Sequence, residues 1–148
     1  VLVVLRENDE HVAETLAATA CRITHNPRAA EGMGSSIGHG VAAAADSDGW
    51  LIMPADLPLL RAETIGRIAR QLQLSPAVVL VHNGQRGHPV GFVALYREDL
   101  VALRGTTGAR QVLARNPDAV SWLEVDDPGI CHDIDRPEEL ALVEKALC

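Results

Sequence analysis

Aliphatic runs alternate with stretches of helical period along almost the whole chain. Val1-Leu2-Val3-Val4-Leu5 is a continuous apolar run closed by the polar segment Arg6 to Glu10, the mark of a buried strand. Val12, Leu16 and Ala20 then recur every four residues, which predicts a helix. Cys21 to His25 reads as a short strand stopped by Asn26-Pro27. A glycine-rich loop, Glu31-Gly32-Met33-Gly34-Ser35-Ser36, leads into an Ala-rich helix around Ile37 to Ala45, with Ser35 or Ser36 suited to cap it.

Trp50 to Met53 is the next buried run and ends at Pro54-Ala55-Asp56-Leu57-Pro58; Ile65, Ile68 and Leu72 lie on one face of the helix after it. Val78 to Val81 and Val90 to Leu95 predict strands, and the Gly and Pro content of Asn83 to Pro89 predicts a loop between them. Leu100 and Leu103 close a short helix, and Gly108-Ala109-Arg110 opens another through Leu113. Val120 to Val125 is a further strand, and Pro137 to Leu147 a final helix with Pro in its first turn. This alternation predicts an α/β chain with a mostly parallel sheet, in one domain over residues 1–148.

Composition sharpens that reading. Aromatic residues are 3 % of the 148 against 47 % hydrophobic overall, so the core is built from Val, Leu, Ile and Ala, as in parallel sheets covered on both faces. A net charge of −7 argues against a nucleic-acid partner but leaves room for a small phosphorylated ligand held by local donors and a metal. Cys21, Cys131 and Cys148 are odd in number and lack C-x-x-C spacing, so we expect reduced thiols and a cytoplasmic protein. No apolar run approaches the roughly eighteen residues of a membrane helix. The chain opens without Met inside an aliphatic strand, from which we expect preceding residues.

Five places carry candidate chemistry. Asp56 follows a buried strand, at the end where open α/β sheets bind ligands, and is suited to holding Mg²⁺ against phosphate oxygens; a helix-capping or turn-forming Asp is the bland alternative. Asp133 and Asp135 are two residues apart, so in extended chain both point to one side and can face one metal; Asp135 as a helix cap is the commoner use of such a pattern. Gly32, Met33, Gly34, Ser35 and Ser36 offer backbone N–H groups and hydroxyls to a nucleotide, or simply a tight turn. Arg86, Gly87 and His88 can grip an anionic or heteroaromatic substrate, or form an exposed connector. Arg110 can reach a phosphate, although a surface Arg on a helix start is the simpler reading. The six His and three Cys show no zinc spacing, and no Ser sits in a G-x-S-x-G elbow.

In order and spacing these segments resemble the MobA-like NTP transferase family, in its molybdenum-cofactor cytidylyltransferase branch. The matching pieces are Asn26-Pro27 with Glu31 to Ser36, Pro54 to Pro58, Arg86 to Val90, Gly105 with Gly108-Ala109-Arg110, and Asp133 to Glu138. The resemblance implies a Rossmann-like three-layer α/β/α sandwich and transfer of an NMP, with CTP favoured as donor, to a phosphorylated pterin-like substrate with release of pyrophosphate. It implies Mg²⁺ on Asp56 with Asp133 or Asp135, nucleotide contacts from Gly32 to Ser36, and a pterin-facing segment around His88. A molybdenum enzyme is an implied partner. The family's opening strand and its L-A-A-G-x-S-x-R-x-G-x-x-K loop do not occur in this sequence, so we expect the chain by itself to be incomplete for transfer. Arg136 stands where the family usually has Thr. Other readings remain: a guanylyl- or sugar-phosphate nucleotidyltransferase, an NAD(P)H-dependent oxidoreductase, or a non-catalytic cofactor-delivery module.

Overall fold

The computed structural model describes residues 1–136, 138 and 139. Its elements follow in the order β1 (Leu2–Arg6), α1 (Glu10–Ala17), β2 (Arg22–Asn26), α2 (Met33–Ala43), β3 (Gly49–Ile52), α3 (Ala62–Gln71), β4 (Ala77–His82), β5 (Gln85–Val93), α4 (Arg97–Val101), α5 (Arg110–Arg115) and β6 (Val120–Glu124). Short 3₁₀ turns cover Ala29–Glu31, Ala94–Tyr96, Pro117–Ala119 and Pro128–Cys131. The final helix expected from Pro137 to Leu147 falls largely outside the described residues.

The chain gathers into two compact units, each made of two segments. The first contains residues 1–50 and 93–117. Here β1 and β2 run parallel, in register from Leu2 opposite Arg22 to Arg6 opposite Asn26. Parallel neighbours need a crossover, and α1 supplies it. This helix is thinly packed, with no buried residue and Val12 left 42 % exposed. The core of the unit lies instead around Leu5, Val41, Leu100, Leu103 and Val112. α2 meets α4 at Gly38, where an added Cβ would come within 2.9 Å of the Val101 carbonyl oxygen.

The second unit contains residues 51–92 and 118 onward, with β4, β6, nearly all of β5 and the Leu51–Ile52 end of β3, in a sheet ordered β3-β5-β4-β6. β4 and β6 are parallel, while β4 and β5 are antiparallel, so the α/β class holds with a mixed sheet. Ile68 of α3, Val78 and Leu80 of β4, Val125 and Ile130 form the buried centre, with Leu51, Leu60, Leu72 and Leu123 packed on it. Each such side chain withdrawn from water contributes roughly 1.5–3 kcal/mol. On α3, Ile68 is fully buried but Ile65 is 37 % exposed. Along β6, the Arg67 side chain donates to the Glu124 carbonyl (3.0 Å), and Gln71 donates to the Ser121 hydroxyl.

Two expectations are corrected. Asn83 to Pro89 is not a loop: β4 turns directly into β5 through Asn83-Gly84, whose φ values of 50° and 78° make the two-residue hairpin turn that Asn-Gly favours. Ser35 and Ser36 do not cap the Ala-rich helix. α2 starts at Met33, both serines lie inside its first turn, and Gly32 takes the capping position without a side-chain bond.

One buried carboxylate joins the two segments of the second unit. Asp127, 1 % exposed, accepts from the Arg61 N–H (3.1 Å), the Thr64 hydroxyl and the Gly129 N–H (3.0 Å), with the Arg61 guanidinium 3.9 Å away. Burial alone would raise its pKa, but the three donors and the Arg61 charge outweigh that and hold it below the ordinary Asp range. The folded value lies below the unfolded one, so this stabilisation is complete above about pH 4 and is lost as pH falls through the folded value. Asp127→Ala strands three donors, two of them buried, and is expected to cost about 2–4 kcal/mol near neutral pH. Urea melts of both proteins between pH 7 and pH 2 check this: the gap should narrow in acid, and a gap that stays constant would contradict the assignment.

Candidate functional site

In the first unit, the glycine-rich segment is fixed from within. Asn26, 1 % exposed at the end of β2, donates from Nδ2 to Ser35 Oγ (2.9 Å) and Ser36 Oγ (3.2 Å), and its Oδ1 accepts from the Arg28 N–H (3.0 Å). Ser35 is fully buried and donates its hydroxyl to the Arg28 carbonyl (2.6 Å). The Gly34 N–H is taken by the Gly105 carbonyl (2.8 Å). An added Cβ on Gly34 would sit 2.3 Å from the Thr107 carbonyl oxygen, so this turn and the 104–107 segment meet backbone to backbone. Met33 stays 59 % exposed and Ser36 half-buried, and Arg110 opens α5 as an exposed side chain.

In the second unit, β3 ends at Ile52, and Asp56 follows in an exposed turn. The Asp56 carbonyl accepts from the Ile134 N–H (2.9 Å), which joins the acidic segment around Asp133 to the end of β3. His88 arrives from the other direction. Between Val79 opposite Val90 and Leu80 opposite Gly87, β5 has two extra residues, His88 and Pro89. Proline has no N–H for a ladder, so it fits such a bulge, and the bulge re-aims the side chain beside it. Gly87 allows the close approach on its other side, since a Cβ there would lie 2.4 Å from the Ile130 carbonyl oxygen.

The His88 imidazole is half-buried. Burial lowers its pKa below the usual histidine range, against the opposing influence of Asp56, the Ile52 backbone and Asp133. Its Nδ1 is buried without a hydrogen-bond partner among the described residues. Arg86 goes elsewhere: its guanidinium lies 4.4 Å over the Trp122 ring, in a surface groove with Val81, Gly84 and Glu124. Asp135 is exposed, and its N–H donates to the Glu139 carboxylate (3.1 Å).

The model of the MobA-like NTP transferase domain matches residues 1–120. The chain belongs to this family. It is 30 % identical to a nicotine blue oxidoreductase of Paenarthrobacter nicotinovorans over 95 % of this chain and 72 % of that protein. It is 32 % identical to the purine catabolism protein PucB of Bacillus subtilis (strain 168) over 80 % of this chain, but spans only 59 % of that relative. Among solved structures, a nucleotidyl transferase from Methanothermobacter thermautotroptrophicus superposes with a TM-score of 0.79 at 19 % identity, over 98 % of this chain and 71 % of that one. The expected α/β, Rossmann-like nucleotidyltransferase fold is thereby borne out.

Asp56 and Asp133 both bear on His88 and are exposed. Mg²⁺ keeps several waters and takes one or two carboxylates alongside substrate phosphates, so two carboxylates fit it. Among the described residues no three His, Cys, Asp or Glu side chains group to enclose a metal. Sequence reasoning missed two contributors, Ile134 and Asp127. Ile134 acts through its backbone, which no side-chain pattern reveals, and Asp127 looked like any loop acid. The Asp127-Pro128-Gly129 run was a usable signal, an Asx turn closed by the bond from the Gly129 N–H to the Asp127 carboxylate.

Gly34→Ala should force the α2 turn off the 104–107 segment and destabilise by about 1–3 kcal/mol. A thermal melt checks it, and an unchanged midpoint would mean that the turn is free to shift.

Proposed function

We propose that this nucleotidyltransferase-family chain moves an NMP, CMP by preference, from an NTP to a phosphorylated pterin-like acceptor such as the molybdopterin cofactor, releasing pyrophosphate. The observation that carries the reading is the bond between the Asp56 carbonyl and the Ile134 N–H, which brings the acid at the end of β3 to the Asp133–Asp135 segment within a family of NTP transferases. Asp56, with Asp133 or Asp135, would hold Mg²⁺, which when bound offsets charge on the triphosphate. Gly32 to Ser36 contact the nucleotide. Ser36 and the exposed Met33 are the available side chains there, because Ser35 and the Gly34 N–H are spent internally. Arg110 supplies a cation to a phosphate.

Catalysis on this reading is positioning and charge compensation without a covalent enzyme intermediate. The acceptor phosphate oxygen attacks the α-phosphorus, and pyrophosphate leaves with the bond electrons. A cytoplasmic setting suits such substrates, and among the described residues no helix is long and apolar enough to cross a membrane. Delivery of the product to a molybdenum enzyme belongs to the same proposal.

A second reading, an NAD(P)H-dependent oxidoreductase, is favoured by the name of the 30 %-identical relative. Calorimetric titration with CTP, GTP and NADPH, each with and without Mg²⁺, separates the two. Mg²⁺-dependent binding of CTP, lost in Asp56→Asn while the melting temperature holds, is the expected result. Tighter GTP binding would move the proposal to a guanylyl donor. NADPH binding indifferent to Mg²⁺, with no nucleoside triphosphate binding, would replace transfer by the reductase reading.

A further inference from the structure

The edge of the second unit's sheet carries features that the transfer chemistry leaves unused. Among the described residues β6 stands last in the order β3-β5-β4-β6, with β4 as its one neighbour. The backbone N–H and C=O groups of successive strand residues point to opposite edges. The Val125 N–H reaches inward to the Val81 carbonyl (2.8 Å), so by alternation Val120, Trp122 and Glu124 turn their N–H and C=O groups away from β4. The Glu124 carbonyl fits this phase, since its partner is the Arg67 side chain of α3 (3.0 Å).

The two faces of this edge differ. Side chains alternate along a strand, so Trp122 and Glu124 lie on one face and Leu123 on the other. On the first face the half-exposed Trp122 ring carries the Arg86 guanidinium at 4.4 Å, beside Val81 in an open groove. The second face borders a depression lined by Arg67, Arg70 and Gln71 of α3 and by Leu74, which is 81 % exposed. On a chain of net charge −7, the guanidinium groups of Arg67, Arg70 and Arg86 thus gather along one strand.

An extended peptide laid along β6 meets these groups in a fixed order, because its own side chains alternate between the faces with a period of two. Those on the α3 face find Arg67 and Arg70, which call for carboxylates. Those on the other face find the Trp122 indole and the Val81 side chain, which call for apolar or aromatic groups. Arg67 on the Glu124 carbonyl shields the edge from indiscriminate pairing, and a carboxylate on the incoming strand can draw it off.

We propose that the open edge of β6 is a docking site for an extended acidic segment of a partner protein, in which carboxylate residues alternate with apolar or aromatic ones, added as a further strand beside Trp122. The ladder bonds supply affinity, and the unlike faces select the sequence. The site is independent of the metal and nucleotide roles given to other residues above.

The probe is a labelled synthetic peptide in which aspartate alternates with valine and phenylalanine, mixed with increasing amounts of the full chain and followed by anisotropy. It should bind saturably, and a control with lysine in place of aspartate should not. Arg67→Glu combined with Arg70→Glu should weaken binding by about tenfold, with circular dichroism as the control for folding. Two further peptides test the strand on the unaltered protein. Only one set of alternate peptide N–H groups faces β6, so N-methylation of that set should abolish binding and N-methylation of the other should spare it. No binding of the acidic peptide, equal binding of its lysine counterpart, or equal effects of the two methylations would overturn the proposal. In sedimentation of the chain alone a monomer is expected; a concentration-dependent dimer that excludes the peptide would give the edge to a second copy and overturn the partner segment as its occupant.

Discussion

A buried carboxylate cannot stand alone, and in the second unit Asp127 meets that demand by drawing distant segments together. Its acceptors are filled by the Arg61 N–H and the Thr64 hydroxyl at the start of α3 and by the Gly129 N–H in its own turn. That fixes the segment leading into α3 against the segment leaving β6. Gly129 then lies so close to Leu59 that a Cβ would be 2.3 Å from its carbonyl oxygen. In the same region the Ile134 N–H donates to the Asp56 carbonyl. The turn bearing Asp56 and the segment around Asp133 are thus tied together beside an acid that sequence reasoning passed over.

The first unit reaches a similar end with different means. There an amide, Asn26, satisfies two hydroxyls and a backbone N–H, and glycines let the α2 turn and the 104–107 segment meet without side chains between them. Preorganisation of this kind limits which groups remain for a ligand. Of the two adjacent serines, one is fully enclosed and the other accepts from Asn26 while remaining partly accessible.

The strands and most helices were legible because aliphatic runs and four-residue periods report burial directly: Leu2–Arg6, Ala77–His82 and Val120–Glu124 lie within a residue or two of where the pattern put them. The errors came where one residue type serves two structures. Gly and Pro between Val81 and Val90 suggested a loop, whereas Asn83-Gly84 makes a tight hairpin and Pro89 fills a bulge within a strand. The serines of Gly34-Ser35-Ser36 suggested a cap, whereas the glycine before Met33 begins the helix and the serines answer to Asn26. Arg86 and His88 looked like one gripping pair. The strand carries the first to Trp122 and the second lies in the bulge, which depends on pairing register and is not visible in adjacency alone.

The chain's two tryptophans are divided between the units and sit in unlike surroundings. Trp50 is buried, with its indole N–H donated to the Ala44 carbonyl (3.2 Å), while Trp122 is half-exposed beneath the Arg86 guanidinium. An indole in a dry, hydrogen-bonded pocket fluoresces to the blue of one that touches water and a cation. The molecule therefore carries an intrinsic optical label in each unit, distinguishable by colour, through which the melting of one can be followed separately from that of the other.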